Sequence, residues 1–341
     1  TMSSQALKFP FEFRSVQPEE TAILKKNYDV SFEYVRVGPK GYLLSADYEG
    51  DAENIYNIEI KSDDVIVYSF PRSGTTWTQE LVWLITKDLD YEAAGSTSSF
   101  FRIPTLFNKK AVEKIVEMNK SKGIKTDVDL MRQFCKPGSE VFASCPSPRF
   151  IKTHLPLSFL PPTTIDTAKV VYVARDPRDA AVSFYHQNKL FTYINYRGDF
   201  KNYWNLFVNN LILWTPYFEH LKEAWALRDH PNMLFLFYEE LSKDLPATVR
   251  RVADFFGKQY SEEQITGLCE HLNIKNFKKN NSVNASELKA ITSPEESFVR
   301  KGKTGGWREY FDEEMSKQAE RWIADNLRDT DLRFPHLSRH Y

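Results

Sequence analysis

Four short apolar runs constrain what this chain can become more than any other feature. They are Val65-Ile66-Val67-Tyr68-Ser69-Phe70, Arg149-Phe150-Ile151-Lys152, Lys169-Val170-Val171-Tyr172-Val173-Ala174 and Met233-Leu234-Phe235-Leu236-Phe237-Tyr238. Apolar residues run on without alternating, the pattern of parallel strands buried on both faces. Between the runs lie stretches with helical spacing. Thr76 to Lys87 is one, with Leu81, Leu84 and Ile85 on one face; Asp179 to Lys189 and Tyr203 to Leu227 are others. Strand alternating with helix predicts an α/β fold, a three-layer sandwich around a central, doubly wound parallel sheet. After Tyr238 the pattern turns helical, over Leu245 to Phe256, Ser261 to Leu272 and Asp312 to Leu327, the last with Asp312 as N-cap. Ala93 to Pro148 shows no strand pattern, and a segment that long inside a compact domain predicts a lid or binding loop.

The 341 residues, 42% of them hydrophobic, suffice for one large α/β domain, and we expect a single domain over 1–341 with a lid at about 93–148. The 17 Tyr and 25 Phe are enough to line an apolar pocket as well as a core. A net charge of −1 supplies no global field for nucleic acid or an anionic membrane, so any anion site must be local. No apolar run is long enough to span a bilayer. Thr1 to Gln17 is polar and aromatic, unlike a secretion leader, and a cytoplasmic location is expected. The three cysteines, Cys135, Cys145 and Cys269, form no paired motif, and no cluster of metal-ligand type appears.

Four segments could carry chemistry. Ser69-Phe70-Pro71-Arg72-Ser73-Gly74-Thr75-Thr76-Trp77 follows a strand and opens a helix, the place where backbone N–H groups cradle a phosphate. It lacks the leading Gly and the Lys of a Walker A loop, which argues against an ATP-dependent kinase. Lys152-Thr153-His154-Leu155-Pro156 ends the second strand, where ligands sit in open α/β sheets. A His there can take a proton and a Lys can offset charge on a transferring group. In Arg175-Asp176-Pro177-Arg178-Asp179-Ala180-Ala181-Val182-Ser183, the strand-end Arg175 and the helical Ser183 could bind a second phosphate. Asp176, Arg178 and Asp179 could equally be a solvated, salt-bridged turn. Phe298-Val299-Arg300-Lys301-Gly302-Lys303 packs three cations into four residues beside a glycine, as an anion loop would, though charge runs are commonly just solvated. Tyr238, at the fourth strand's end, is the weakest candidate.

In this order, Pro-Arg-Ser-Gly-Thr-Thr-Trp, Lys-Thr-His-Leu-Pro, Val-Ala-Arg-Asp-Pro-Arg-Asp, Phe-Tyr-Glu and Arg-Lys-Gly-Lys resemble the cytosolic sulfotransferase family over nearly the whole chain. The style is that of insect members, including the retinol-dehydratase type. The resemblance implies a P-loop nucleoside triphosphate hydrolase-like sulfotransferase fold. It implies a metal-free transfer of a sulfuryl group from 3′-phosphoadenosine 5′-phosphosulfate to a hydroxyl of a small lipophilic acceptor. Arg72, Ser73, Gly74, Thr75 and Thr76 would then bind the donor's 5′-phosphate and Trp77 its adenine. Arg175, Ser183, Arg300, Lys301 and Gly302 would bind the 3′-phosphate, and Tyr238 the adenine end. Lys152 would hold the sulfuryl group, with Arg72 offsetting charge on the leaving oxygen, and His154 would be the general base. Phe100, Phe101, Leu106 and Phe107 would face the acceptor from the lid, or form the lid's own small core.

Three departures from the family pattern stand out. Arg72 replaces the usual Lys, a planar fork for a compact ammonium. Leu272-Asn273-Ile274 stands where Thr-Ser-Phe is usual, which leaves one hydroxyl contact to the donor open. Arg308 to Lys317 matches the family's short dimer motif poorly, which leaves that homodimer open too. Net dehydration of an allylic alcohol through a transient sulfate ester is the alternative outcome on the same fold. A non-catalytic binder of small lipophiles would have no need of both Lys152 and His154.

Overall fold

The structure is a computed structural model and describes residues 5–28, 33–102, 111–125, 127, 129 and 136–335. Three short strands, β1 (Phe13–Ser15), β2 (Tyr34–Val37) and β3 (Tyr42–Ser45), form an antiparallel sheet near the start of the chain. The main sheet is parallel, with β4 (Val65–Tyr68), β5 (Phe150–Thr153), β6 (Lys169–Ala174) and β7 (Met233–Phe237) in the order β5-β4-β6-β7. The four runs read from the sequence are these four strands, each within two residues of its expected ends.

Side chains alternate across the sheet, so each strand feeds two cores. Val65, Val67, Val171, Val173 and Leu236 pack with Leu81, Val82, Leu84 and Ile85 of helix α1 (Thr75–Thr86). Ile66, Tyr68, Val170, Tyr172, Ala174 and Phe235 face the other way. There they meet α2 (Pro177–Leu190), α3 (Phe200–Val208) and α4 (Tyr217–Ala226), backed by α6 (Glu313–Leu327), while α5 (Glu262–Leu272) backs the α1 side. Helices on both faces of a parallel sheet make the expected three layers.

The predicted helix over Tyr203 to Leu227 is two helices, α3 and α4. Pro216 has no N–H to continue the ladder, and the intervening segment pairs elsewhere. Trp214 N–H donates to the Leu43 carbonyl at 2.8 Å, and Leu43 N–H to the Thr215 carbonyl at 2.9 Å, which ties that break to β3. Asp312 is the N-cap the sequence points to, accepting from Met315 N–H, and Ser261, at the start of α5, forms a capping box with Gln264. Among the described residues, 93–148 contains helices but no strand, and no described helix is long and apolar enough to cross a membrane.

The strand order places the site. The chain runs from β4 outward to β5 on one side, and β6 and β7 lie on the other. The carboxyl end of β4 is thus the point where the order reverses, and crevices open there. Ser69 to Gly74 follows β4, Lys152 and His154 close β5, Arg175 follows β6 and Tyr238 follows β7.

Candidate active site

The loop after β4 is shaped by two residues with positive φ. Arg72 has φ 65° and Gly74 φ 94°, which turns the chain back into the first turn of α1. At position 74 a Cβ would lie 2.7 Å from the Tyr238 ring, so only glycine fits. Ser69 and Thr75 close the loop through their hydroxyls at 2.5 Å. The Ser73 hydroxyl is buried with no hydrogen-bond partner among the described residues. Thr76 is half-buried on α1, and Trp77 beside it donates its indole N–H to the Leu272 carbonyl at 2.9 Å. The Trp77 ring meets Tyr238 edge-on at 5.8 Å.

Three arginines converge above this loop. Arg72 donates Nε to the Ser183 hydroxyl on α2 at 3.0 Å and Nη2 to the Phe298 carbonyl at 2.8 Å. Arg175 donates to the Arg72 carbonyl at 2.9 Å and to the Lys303 carbonyl at 3.2 Å, and its guanidinium lies 4.0 Å over the Tyr238 ring. Its Nε is buried and unpaired among the described residues. Burial first, and then the charges of Arg175 and Arg300, pull the Arg72 pKa down to about 10. Guanidinium groups this close repel one another, and an anion among them would be stabilised by all three.

The loop carrying Arg300, Lys301 and Gly302 is anchored at both ends. Asp179, in the first turn of α2, accepts from Gly305 N–H at 2.8 Å and Trp307 N–H at 3.0 Å. Gly302 (φ 63°) packs so tightly on Ile274 that a Cβ would come within 2.6 Å of it. Leu272 and Ile274 therefore support Trp77 and this loop through a carbonyl and an apolar contact, where the family pattern has hydroxyl and aromatic residues. Lys301 is exposed and paired with Glu309 at 2.8 Å. The alternative of a solvated turn for Asp176, Arg178 and Asp179 does not hold. All three are buried, with Arg178 paired to Asp176 at 2.7 Å and stacked 4.0 Å over Trp307.

Across the crevice, His154 points its Nδ1 at the Ser69 carbonyl, 2.7 Å away. A carbonyl only accepts, so Nδ1 holds the proton and Nε2 keeps its lone pair. Burial foremost, then the neighbouring Lys152, holds the imidazole well below its ordinary pKa. Burial and Arg72 bring Lys152 itself down to about 8. Near neutral pH the pair is thus a neutral base beside a cation.

Around 270 residues, 62–331, match the description of the sulfotransferase domain. The luciferin sulfotransferase of Photinus pyralis is 34% identical over 308 residues, covering 86% of this chain and 80% of that protein. The chain belongs to the sulfotransferase family. Two solved structures of retinol dehydratase are also similar. The complex with androsterone and the inactive cofactor PAP shares 49% identity and a TM-score of 0.91, covering 97% of this chain and 100% of that one. The complex with retinol and PAP shares 50% identity and a TM-score of 0.90, covering 96% and 100%.

The expected residues of the 72–77 loop, Arg175, Ser183 and Tyr238 are joined by the contacts above, His154 is bonded to that loop through Ser69, Lys152 lies close enough to Arg72 and His154 for their charges to interact, and the 300–302 loop packs on Ile274. Phe100 meets Phe298 at 5.5 Å and, with Val116 of the helix Ala111–Ser121, packs against a small cluster of Leu190, Phe191, Leu288 and Ile291. Phe101 falls in the helical turn Ser99–Arg102, and Leu106 and Phe107 lie outside the described residues.

Several contributors had no signature in the sequence. His220 on α4 is fully buried, donates Nε2–H to the His154 carbonyl at 2.8 Å and accepts from the Tyr172 hydroxyl at 2.8 Å. Burial lowers its pKa to about 4, so it stays neutral. Tyr217 donates its hydroxyl to the Arg175 carbonyl, and Glu239 accepts from Asp176 N–H at 2.7 Å. In sequence each of these looks like any core residue on a helix or strand end.

Proposed function

We propose that the chain moves a sulfuryl group from 3′-phosphoadenosine 5′-phosphosulfate to a hydroxyl of a small lipophilic acceptor, with His154 as the base. The observation that carries this reading is the bond from His154 Nδ1 to the Ser69 carbonyl, which leaves Nε2 unprotonated on a neutral imidazole whose neighbour is the Lys152 cation. The residues suit the donor. The unpaired Ser73 hydroxyl and Arg175 Nε are groups a phosphate oxygen would satisfy, and a glycine at 74 brings backbone close to Tyr238. Arg72 with Ser73, Gly74, Thr75 and Thr76 would hold the 5′-phosphate. Trp77 and Tyr238 would flank the adenine, and Arg175, Ser183, Arg300, Lys301 and Gly302 would hold the 3′-phosphate. The donor supplies a sulfuryl group on a phosphate leaving group.

His154 Nε2 takes the proton as the acceptor oxygen bonds to sulfur. The bond from sulfur to the phosphate oxygen breaks, and that oxygen departs with the electron pair. Lys152 and Arg72 offset the charge that gathers there. The 93–148 segment serves as a lid over the acceptor, with Phe100 as its contact to the donor side.

The test uses His154→Asn, whose side-chain amide can still donate to the Ser69 carbonyl but has no basic nitrogen. Turnover of a phenol, sterol and retinoid panel with sulfur-labelled donor is expected to fall by about 10²–10⁴. Binding of 3′-phosphoadenosine 5′-phosphate should be retained. Turnover like that of the wild type would remove His154 from the base role.

The 49% identity to retinol dehydratase favours a second outcome on the same site. An allylic sulfate ester would lose sulfate as its C–O bond breaks, sulfate keeping the electron pair, and an sp3 carbon at the far end of the resulting allyl cation would give up a proton to solvent, forming a new conjugated C=C bond. An acceptor product lighter by one water, with free sulfate, would establish that outcome; a stable sulfate ester would exclude it for the acceptor tested.

A further inference from the structure

Arg300 is joined to α2 by a chain of hydrogen bonds that the roles above do not use. His186 Nδ1 bonds the Glu296 carboxylate at 2.9 and 3.1 Å. His186 Nε2 bonds the Tyr310 hydroxyl at 2.8 Å, and that hydroxyl accepts from Arg300 Nη2 at 3.3 Å. The ends are fixed, since a carboxylate only accepts and a guanidinium only donates. Nδ1 carries a proton, the Tyr310 oxygen accepts from Arg300, and in the neutral imidazole Nε2 accepts from the Tyr310 O–H. Side-chain exposures of 16% for His186 and 18% for Glu296 keep the chain largely out of water, where each link is stronger. The Tyr310 ring is held by edge contacts to His186 at 5.6 Å and Phe200 at 5.3 Å.

His186 lies three residues after Ser183 on α2, so both project from one face of the helix. Ser183 holds Arg72, and His186 holds Arg300 through Tyr310. One helix face thereby sets two cations of the crevice. A free Arg side chain samples many rotamers, and a site that fixes it before binding loses less entropy on binding.

We propose that His186, acting through Tyr310, is a positioning residue that holds Arg300 ready for the donor's 3′-phosphate. The inference rests on the assignment of Arg300 to that phosphate above. Burial, and next the charge of Arg300, lower the His186 pKa, which keeps the imidazole in the neutral form whose Nε2 can accept.

The test compares calorimetric binding of 3′-phosphoadenosine 5′-phosphate with that of adenosine 5′-phosphate, which lacks the 3′-phosphate. Tyr310→Phe and His186→Ala are each expected to weaken the first by about five- to tenfold and leave the second unchanged. The double variant should lose no more than either single one, because both cut the same chain. His186→Gln, with an amide oxygen able to accept from Tyr310, should recover part of the preference. Unchanged adenosine 5′-phosphate binding also shows that each variant is folded. If Arg300→Ala abolishes the preference while Tyr310→Phe and His186→Ala keep it, the positioning role is overturned and the Arg300 assignment stands. If Arg300→Ala itself keeps the preference, the assignment fails and the inference falls with it. Equal losses for both nucleotides would mean a purely structural role and overturn the inference too.

Discussion

Gly74→Ala is a small change with a large expected effect. Two costs can be read from the structure. The residue sits at φ 94°, where an L side chain is strained by roughly 1–2 kcal/mol. The added Cβ would also lie 2.7 Å from Tyr238 Cδ2, and relieving such overpacking costs about 1–3 kcal/mol. Tyr238 has little room to yield, because Arg175 lies 4.0 Å over its ring and Trp77 meets its edge at 5.8 Å. The sum, about 2–5 kcal/mol, should appear partly as a lower urea midpoint and partly as weaker binding of 3′-phosphoadenosine 5′-phosphate, since moving Tyr238 moves Arg175. A cycle with Tyr238→Ala separates the two costs, because without the ring only the backbone strain remains. Additive losses in that cycle would refute the contact argument. Undiminished stability and affinity in Gly74→Ala alone would refute both.

Two further outcomes follow from buried charge. Asp64 accepts from Arg149 at 2.8 and 2.6 Å, and their side chains are 0% and 4% exposed, so Asp64→Asn removes the charge partner of a buried guanidinium that keeps its bond to the Glu59 carbonyl. It should cost about 3–5 kcal/mol in chemical denaturation, and a loss below about 1 kcal/mol would mean that the pair is solvated. Lys152 has its pKa lowered to about 8, so its charge is present below that pH and lost above it. The pH profile of kcat/KM should therefore fall on the basic side near pH 8 and on the acid side below the ordinary His range, as His154 takes up a proton. A Lys152→Met enzyme that keeps the basic limb would assign that limb to another group.

The main sheet was legible because burial on both faces writes itself as uninterrupted apolar runs, and β6 was read to the residue. The antiparallel sheet was not, since β1 to β3 are three or four residues long and Arg14, Arg36 and Ser45 interrupt them. The α3–α4 break was missed because the apolar spacing continues through Leu211 and Trp214, although Pro216 marks it. Charged members of the site stood out by residue type at strand ends. His220, Tyr172 and Tyr217 did not, because their work is to bond backbone and one another inside the core. A buried His bonded to the His154 carbonyl has the same sequence context as one bonded to nothing of consequence. The short helix at Phe100 could not be aimed from sequence either, as its partners Phe298 and Leu190 are far away along the chain.

Arg72 shows what the departure from the family's lysine changes. A lysine ammonium is one nitrogen on a flexible stem, whereas the Arg72 fork bonds Ser183 with Nε and the Phe298 carbonyl with Nη2 at once. Its guanidinium also lies 5.1 Å over the Phe298 ring, which meets Phe100 as well. Arg72 therefore connects α2 with the 298–302 loop and, through the Phe298 ring, with Phe100. Replacing it by Lys would keep the charge but break at least one of those two bonds. The effect should then fall on how firmly the 298–302 loop and Phe100 are held as well as on transfer itself. That makes Arg72 a link between the loop after β4, α2 and the 298–302 segment, a property that neither its charge nor its position in the loop motif would reveal.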